Sequence, residues 1–520
     1  MTTRPRRVPS VAVLGLLLAA APVPAQAGAL TPAQQRGRQI YRTGHSPSQN
    51  PIVAFFGADG VELPEEASAC SGCHGYDGTG RPESGLIPSN VTWPYLTKAY
   101  GHVHPNGREH GPFTVETLRS YLASGVYPGG QPGDPSMPVY EMAAQDLEDL
   151  VAFLAVLGDD TDPGIGETTV RVGTLLPSEG PAAGIGQTMR DVLLATFGAV
   201  NQAGGVYGRR IELVVREPGA ASLDPEPFAL VSPFLPGAGS RSRADPSPGD
   251  VPVVGPFTLY PLDDYARNRS TFYLFAGVRE QALCLVEFAT RRAGLASPRA
   301  ALVYPASSDL GSIATALETA AQARGWSEVR RVPFSGPEFD APAVVARLRE
   351  AQTEVVVFLG VEHQTRSLLE AARALEWAPY VLTPGVLAGE AALDAPRTFA
   401  GRLFLAYPTL PQDRDPRAEG ELARLLGGRE LSPTHRQAAI SAYCSAKLLV
   451  EALRLSGRAL SRARFVWALE RFYRFETGLT PPLTYTRNRR FGALGAYVAT
   501  PDPAADKAGA LGPAEWVDAD

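Results

Sequence analysis

Cys70, Cys73 and His74 stand in a single run, Cys70-Ser71-Gly72-Cys73-His74. Two thiols a turn apart can each add to a haem vinyl group while the adjoining imidazole reaches the iron, and C-x-x-C-H is the attachment sequence of a c-type haem. A tetrahedral zinc site on the same thiols would need a second C-x-x-C, whereas the other cysteines, Cys284 and Cys444, stand singly. The chemistry read from these residues is one-electron exchange through one covalently attached haem c, with Cys70 and Cys73 as anchors and His74 as proximal ligand.

A second axial ligand must come from elsewhere. Met137 lies in Asp134-Pro135-Ser136-Met137-Pro138-Val139-Tyr140, just upstream of an apolar helical stripe, with Met142 as the alternative. A thioether favours the reduced iron and raises the potential relative to a second imidazole. His102, His104 and His110 lie in a loop punctuated by Gly and Pro. His-x-His could bind a metal or displace Met137; solvated loop histidines near the haem edge are the other reading.

Two helices must hold these groups. Thr31-Pro32 reads as an N-cap and first helical residue, opening a helix through Gly37, Ile40 and Tyr41 that ends near Gly44. Leu147, Leu150, Val151, Leu154 and Leu157 form one apolar stripe on a second helix, stopped by Gly158. The stretch from Cys70 to Gly80, with Gly75, Gly78 and Gly80, resembles the haem-binding segment of class I cytochromes c, and the resemblance spans roughly residues 30–158. It implies a small all-α domain, His74 and Met137 as axial ligands, and a six-coordinate haem with no open site for oxygen or peroxide.

Arg4, Arg6 and Arg7 precede an apolar run from Val11 to Ala21, and Ala25-Gln26-Ala27 fits a small-x-small cleavage site, so residues 1–27 read as an export signal. The run is short for a membrane span, and the mature protein is expected to be soluble in a bacterial periplasm. Loss of three arginines and no acid takes the net charge from -6 to -9. Nucleic acid is therefore an unsuitable partner, while a basic redox partner could be steered by the surface.

Residues 28–158 form the first expected domain and 159–168, rich in Asp, Pro and Gly, a linker. Beyond it the pattern alternates apolar strands and amphipathic helices. Strands are expected at 170–176, 211–215, 228–231, 251–254, 272–275, 300–304, 355–359, 380–383 and 401–406, with helices at 280–293, 312–325, 341–351, 364–376, 418–427 and 434–456. Such alternation implies parallel sheets covered by helices, and the number of elements implies two lobes.

Val172-Gly173-Thr174-Leu175-Leu176-Pro177-Ser178-Glu179-Gly180-Pro181, followed by Asn201-Gln202-Ala203-Gly204-Gly205-Val206-Tyr207-Gly208, resembles the opening of type I periplasmic solute-binding proteins of the leucine/isoleucine/valine-binding class. The resemblance runs through about residue 500, leaving 501–520 as a tail. It implies a multidomain chain in which the small all-α cytochrome c domain is followed by two α/β lobes that clamp a ligand between them. By the same resemblance, Ser178, Glu179, Ser232, Ser240, Gly255 and Thr258 line the cleft from the first lobe. Tyr304, Asp309, Glu362 and Thr383 line it from the second. Strand-end loops and helix amino termini suit a small carboxylate.

Two departures bear on the ligand. The segment from Glu217 to Val253 is short and rich in Pro, Gly and Ser where the family carries a full helix. Leu310 stands where many members place a cleft tyrosine, and Thr383-Pro384-Gly385 offers no acid to hold an ammonium group. The expected ligand is thus a small, less polar organic acid or alcohol-derived metabolite rather than a free amino acid. Cys284 and Cys444 could be bridged in an oxidising compartment or stay as buried thiols.

The functional expectation is an electron carrier rather than an enzyme. A soluble periplasmic redox partner would meet the haem, and a small organic ligand would occupy the clamp. The alternative is the solute-binding component of an ABC-type importer, working with a membrane permease and carrying the haem domain as an accessory. Oxidation of the bound ligand through the haem lacks a catalytic acid/base pair, a flavin or nicotinamide fingerprint and an open metal site.

Overall fold

A computed structural model describes residues 30–64, 68–75, 77–80, 86–104, 107–158, 162–220, 223, 225–235, 251–262, 269–291, 295–335, 339–502 and 510–519, and for Ser308 and Asp309 the backbone alone. The expected export signal lies outside the described residues.

The amino-terminal domain is organised by helix α1, Pro32–Thr43. Thr31 opens it with a capping box: its hydroxyl accepts from the Gln34 N–H at 3.3 Å, while its own N–H donates to Gln34 Oε1 at 2.8 Å. Gly44 closes it in the left-handed region at φ +75°, donating to the Ile40 carbonyl. Three short or mid-length helices follow, α2 Cys70–His74, α3 Trp93–Leu96 and α4 Val115–Ser124, and then α5, Ala144–Leu154.

Helices α1 and α5 pack across each other and bury Ile40, Tyr41, Leu150, Phe153 and Leu154 in one core. Arg36 spans the crossing with two hydrogen bonds to Asp149, at 2.6 and 2.7 Å. A small antiparallel sheet, Val53–Phe56 between Val61–Glu62 and Val139–Glu141, and a hairpin, His102–Val103 with Glu109–His110, are added to the helical core. These strands are two to four residues long, too short to leave an alternating pattern.

Two α/β lobes follow. The first is a six-stranded parallel sheet in the order Phe491–Ala493, Thr271–Phe275, Val253–Val254, Ala229–Val231, Thr169–Leu175, Arg210–Arg216. Helices Ala183–Gln202 and Pro433–Ser456 pack on it, the latter burying Ala442, Tyr443, Cys444, Leu448 and Leu449. The second lobe has seven strands in the order Glu328–Phe334, Arg299–Pro305, Val355–Phe358, Tyr380–Pro384, Leu403–Tyr407, Gly495–Ala499, Glu515–Asp518. Its first five strands are parallel and the last two pair antiparallel. The chain passes between lobes after Phe275, after Tyr407 and after Ala493.

The segment expected as a tail is corrected here, since Glu515–Asp518 is the edge strand of the second lobe. Glu328–Phe334 also escapes a periodicity reading, because this edge strand has largely exposed positions and carries Arg330 and Arg331. Among the described residues from 217 to 235 there is no helix, and much of the segment read as short, residues 236–250, lies outside the described residues.

The linker does more than connect. Asp162 is buried and accepts from Arg42 of α1 at 2.8 Å and from the backbone N–H of Arg462 at 2.7 Å. Arg462, itself fully buried, reaches on to the Phe228 and Pro227 carbonyls at 3.0 and 2.7 Å and to Glu226 at 3.0 Å. This knot joins the amino-terminal domain to the first lobe.

Candidate functional site

The C-x-x-C-H run forms α2, and its imidazole is turned inward by its own hydrogen bond. His74 Nδ1 donates to the Ser89 carbonyl at 2.8 Å, which fixes the tautomer and frees the Nε2 lone pair. Burial lowers the His74 pKa, partly opposed by that bond, and so favours the neutral ring. Nε2 faces Met137 Sδ at 3.5 Å. Met137 is delivered by a turn in which its N–H donates to the Asp134 carbonyl at 2.9 Å, and the Asp134 carboxylate pairs with Arg108. Met142 packs against the domain core and does not line the same space.

Cys70, Cys73, His74 and Met137 share a cavity of about 680 Å³, bounded by α1, α4 and α5, a volume suited to enclosing a cofactor. Burial pushes the Cys70 thiol up to about 11. Tyr41 donates to the Gly75 carbonyl at 2.7 Å, and Tyr140 to that of Ser68 at 3.1 Å, bracketing α2. Gly80, at φ +84°, lies so near the Pro88 carbonyl that a Cβ would stand 2.2 Å from it, which only glycine permits. Two thiols, an inward imidazole with an available lone pair and an opposed thioether fit a covalently held haem c.

His102, His104 and His110 border the same cavity, and each is partly buried. His104 hydrogen-bonds Ser89 Oγ at 3.1 Å and Tyr127 at 3.3 Å, and His102 hydrogen-bonds Tyr95 at 3.1 Å. The rings stack into a cluster with Tyr121, Tyr127 and Phe113. Among the described residues no group of three or more His, Cys, Asp or Glu is arranged to hold a metal ion. Desolvation, with the neighbouring His102 and His110, lowers His104 to about 4. The tyrosines escape a sequence reading because they come from different elements.

The expected cleft residues divide between the lobes. Ser178 and Glu179 are exposed after the first strand of lobe one, where the Ser178 N–H donates to Glu217 at 3.3 Å. Ser232 is fully buried, in the left-handed region at φ 46°, with an Oγ that has no partner among the described residues. Gly255 packs against Ser445, whose hydroxyl donates to its carbonyl at 3.2 Å, and Thr258 Oγ1 accepts from the Tyr260 N–H at 3.1 Å. Ser240 lies outside the described residues.

In the second lobe, Tyr304 and Thr383 are buried at the carboxyl ends of their strands, and Thr383 Oγ1 also lacks a partner among the described residues. Glu362 is exposed at the start of helix Glu362–Ala374, against Gly389. Asp309 lies in the first turn of helix Ser308–Ala323, its side chain outside the described residues. No hydrogen bond among the described residues links the two sets. Cys284 and Cys444 are free thiols in the cores of different lobes, where burial pushes each up to about 12.

The family model described as "Periplasmic binding protein" matches residues 169–222 and 228–508, and that described as "Cytochrome c" matches residues 58–158. No curated protein matches the chain. Among solved structures, a fatty acid ABC transporter substrate-binding protein from Thermomonospora curvata is 20% identical with a TM-score of 0.50, covering 68% of this chain and 93% of its own. A type 1 periplasmic binding protein from Bordetella pertussis Tohama I is 15% identical with a TM-score of 0.51, covering 66% and 100%. A possible leucine/isoleucine/valine-binding protein from Rhodopirellula baltica SH 1 is 18% identical with a TM-score of 0.50, covering 69% and 98%. At these identities the likeness is one of fold. The matched residues account for both halves of the chain, which belongs to the periplasmic binding protein family and carries a cytochrome c domain at its amino-terminal end.

Proposed function

We propose that this protein is an exported, periplasmic single-electron carrier with one haem c attached through Cys70 and Cys73 and ligated by His74 and Met137. The fused clamp takes a small, weakly polar organic ligand, and its occupancy modulates electron delivery to a redox partner. The observation that carries the electron-transfer reading is His74 Nε2 facing Met137 Sδ at 3.5 Å in a cavity that both cysteines border. The haem supplies reversible one-electron exchange; the chain orients its ligands, and the apolar walls exclude water.

Two hydroxyls without a partner among the described residues, Ser232 Oγ and Thr383 Oγ1, support the clamp reading, because a buried hydroxyl without a partner costs free energy that a ligand's polar group would recover. Both lie near the carboxyl ends of parallel strands, the place where open α/β sheets bind ligands. Family membership also supports a second reading, the solute-binding component of an importer that docks on a membrane permease.

The test is a titration of the exported holoprotein with small carboxylates, alcohols and amino acids, followed by tryptophan fluorescence and haem absorbance in both redox states. Saturable binding with different affinity for ferric and ferrous protein supports the coupled carrier. Binding indifferent to redox state favours the importer component, and the absence of covalent haem in an alkaline pyridine spectrum overturns the electron-transfer reading.

A further inference from the structure

Among the described residues that line the haem cavity, Arg269 alone comes from the solute-binding domain. Its Nη1 lies 3.0 Å from the point that a Cβ on Gly72 would occupy, with Cζ and Nη2 at 3.9 Å. Gly72 sits between Cys70 and Cys73, so the guanidinium stands against the segment that carries the thioether links. It is half-buried and makes no hydrogen bond or ion pair with the described residues.

The backbone beneath it is firmly held. The Arg269 carbonyl accepts from Arg490 Nε at 2.9 Å, Arg490 pairs with Glu470 at 2.8 Å, and the Ser270 carbonyl accepts from the Val253 N–H at 2.8 Å. The guanidinium that this anchored backbone carries borders the cavity.

We infer that Arg269 is a positioning residue of the solute-binding domain for the haem, a fixed cation at the thioether edge that raises the reduction potential. This rests on the haem reading above. Reduction from ferric to ferrous adds one electron and removes one positive charge from the iron centre, so a nearby cation favours the reduced form. Partial exclusion of water keeps the effect from being fully screened. A guanidinium also stacks on conjugated rings, which suits an edge where a porphyrin meets a second domain.

The position of Arg269 ties this contact to the clamp. It stands two residues before strand Thr271–Phe275, which leads to the first passage between lobes, and its partner Arg490 stands one residue before Phe491–Ala493, which leads to the last. Both crossover strands therefore start at the haem-facing edge of the first lobe.

The experiment is an equilibrium redox titration of the holoprotein, followed by haem absorbance, for wild type, Arg269→Gln, Arg269→Glu and Arg269→Lys. The expected result is a lower midpoint in Arg269→Gln, a still lower one in Arg269→Glu, and a value near wild type in Arg269→Lys. Midpoints unmoved in the Gln and Glu variants, or moved equally in all three, overturn the role of Arg269. An alkaline pyridine spectrum of each preparation reports covalent haem separately: its absence in wild type overturns the haem reading and this inference together, and its presence with unmoved midpoints overturns this inference alone.

Discussion

Gly37 of α1 lies so near Asp149 of α5 that a Cβ on it would stand 1.9 Å from the Asp149 carbonyl oxygen. The helices cross in backbone contact, and the Arg36 pair to the same Asp149 fixes their register. Gly37→Ala must push the helices apart, because the obstacle is backbone. We expect a loss of about 3 kcal/mol from the haem domain. A urea unfolding midpoint unchanged from wild type would refute the close crossing.

Met137 is the thioether opposed to His74. Replacement by His supplies a second imidazole and is expected to lower the midpoint potential and abolish the thioether-to-ferric-iron charge-transfer band. Met142→Leu is expected to leave both unchanged, since Met142 does not line the cavity. Loss of the band in Met142→Leu but not in Met137→His would reverse the assignment.

Asp162 sets a pH limit on domain docking. Burial pushes its carboxyl up, but the guanidinium groups of Arg42 and Arg462 outweigh it, and the pKa lies below the ordinary aspartate value. A carboxylate depressed in the folded state contributes stability in full above its unfolded pKa, near 4, and loses it as pH falls through the folded value. Asp162→Asn is expected to cost about 3 kcal/mol at pH 7, because it removes the buried carboxylate that faces both guanidinium groups. The gap between variant and wild type, measured by chemical unfolding, should shrink below about pH 4; a gap constant down to pH 2 would contradict the pairing.

His104 acts at a higher pH. Its folded value of about 4 lies under that of the unfolded imidazole, so the unfolded chain takes up the proton first. Stability should be full above about pH 6.5 and decline as pH falls toward 4. His104→Gln should flatten that slope, a result to be read from melting temperatures across the range. An unchanged slope would place the titration elsewhere.

Ser232 and Thr383 separate stability from binding. Ser232→Gly removes an unpartnered hydroxyl and relieves a left-handed backbone, so unliganded protein should gain about 1 kcal/mol. Thr383→Val should be near neutral for the fold. Both should weaken ligand capture in a fluorescence titration; unchanged affinity in both variants would remove these hydroxyls from the cleft.

The cytochrome c domain and the two-lobed architecture were legible because their signals are local. Cys70 to His74 is a contiguous motif, and the stripe from Leu147 to Leu157 has helical period. The strand Thr169–Leu175 and the helix Ala183–Gln202 repeat the apolar pattern of a covered parallel sheet. What escaped is long-range or disguised. Arg269 reaches the haem cavity from another domain, and nothing in its neighbours marks it. Asp162 lies in a polar run that reads as solvated linker, yet two arginines far apart in sequence bury it. Glu515–Asp518 is four residues long and acquires its strand character only from pairing with Gly495–Ala499.

The knot at Asp162 also sets an order of events during synthesis. Arg42 precedes Asp162 by 120 residues, whereas Arg462 follows it by 300. As the chain emerges from its amino terminus, the α1/α5 core and the haem loop can close long before Arg462 exists. The joint between the domains must wait until the chain has been made through Arg462. Closing so long a loop is slow compared with packing the local helices, so docking is a late step in maturation. A product cut short before Arg462 would hold a finished cytochrome beside an Asp162 that lacks half its partners, which makes the joint a test of whether the second domain has been completed.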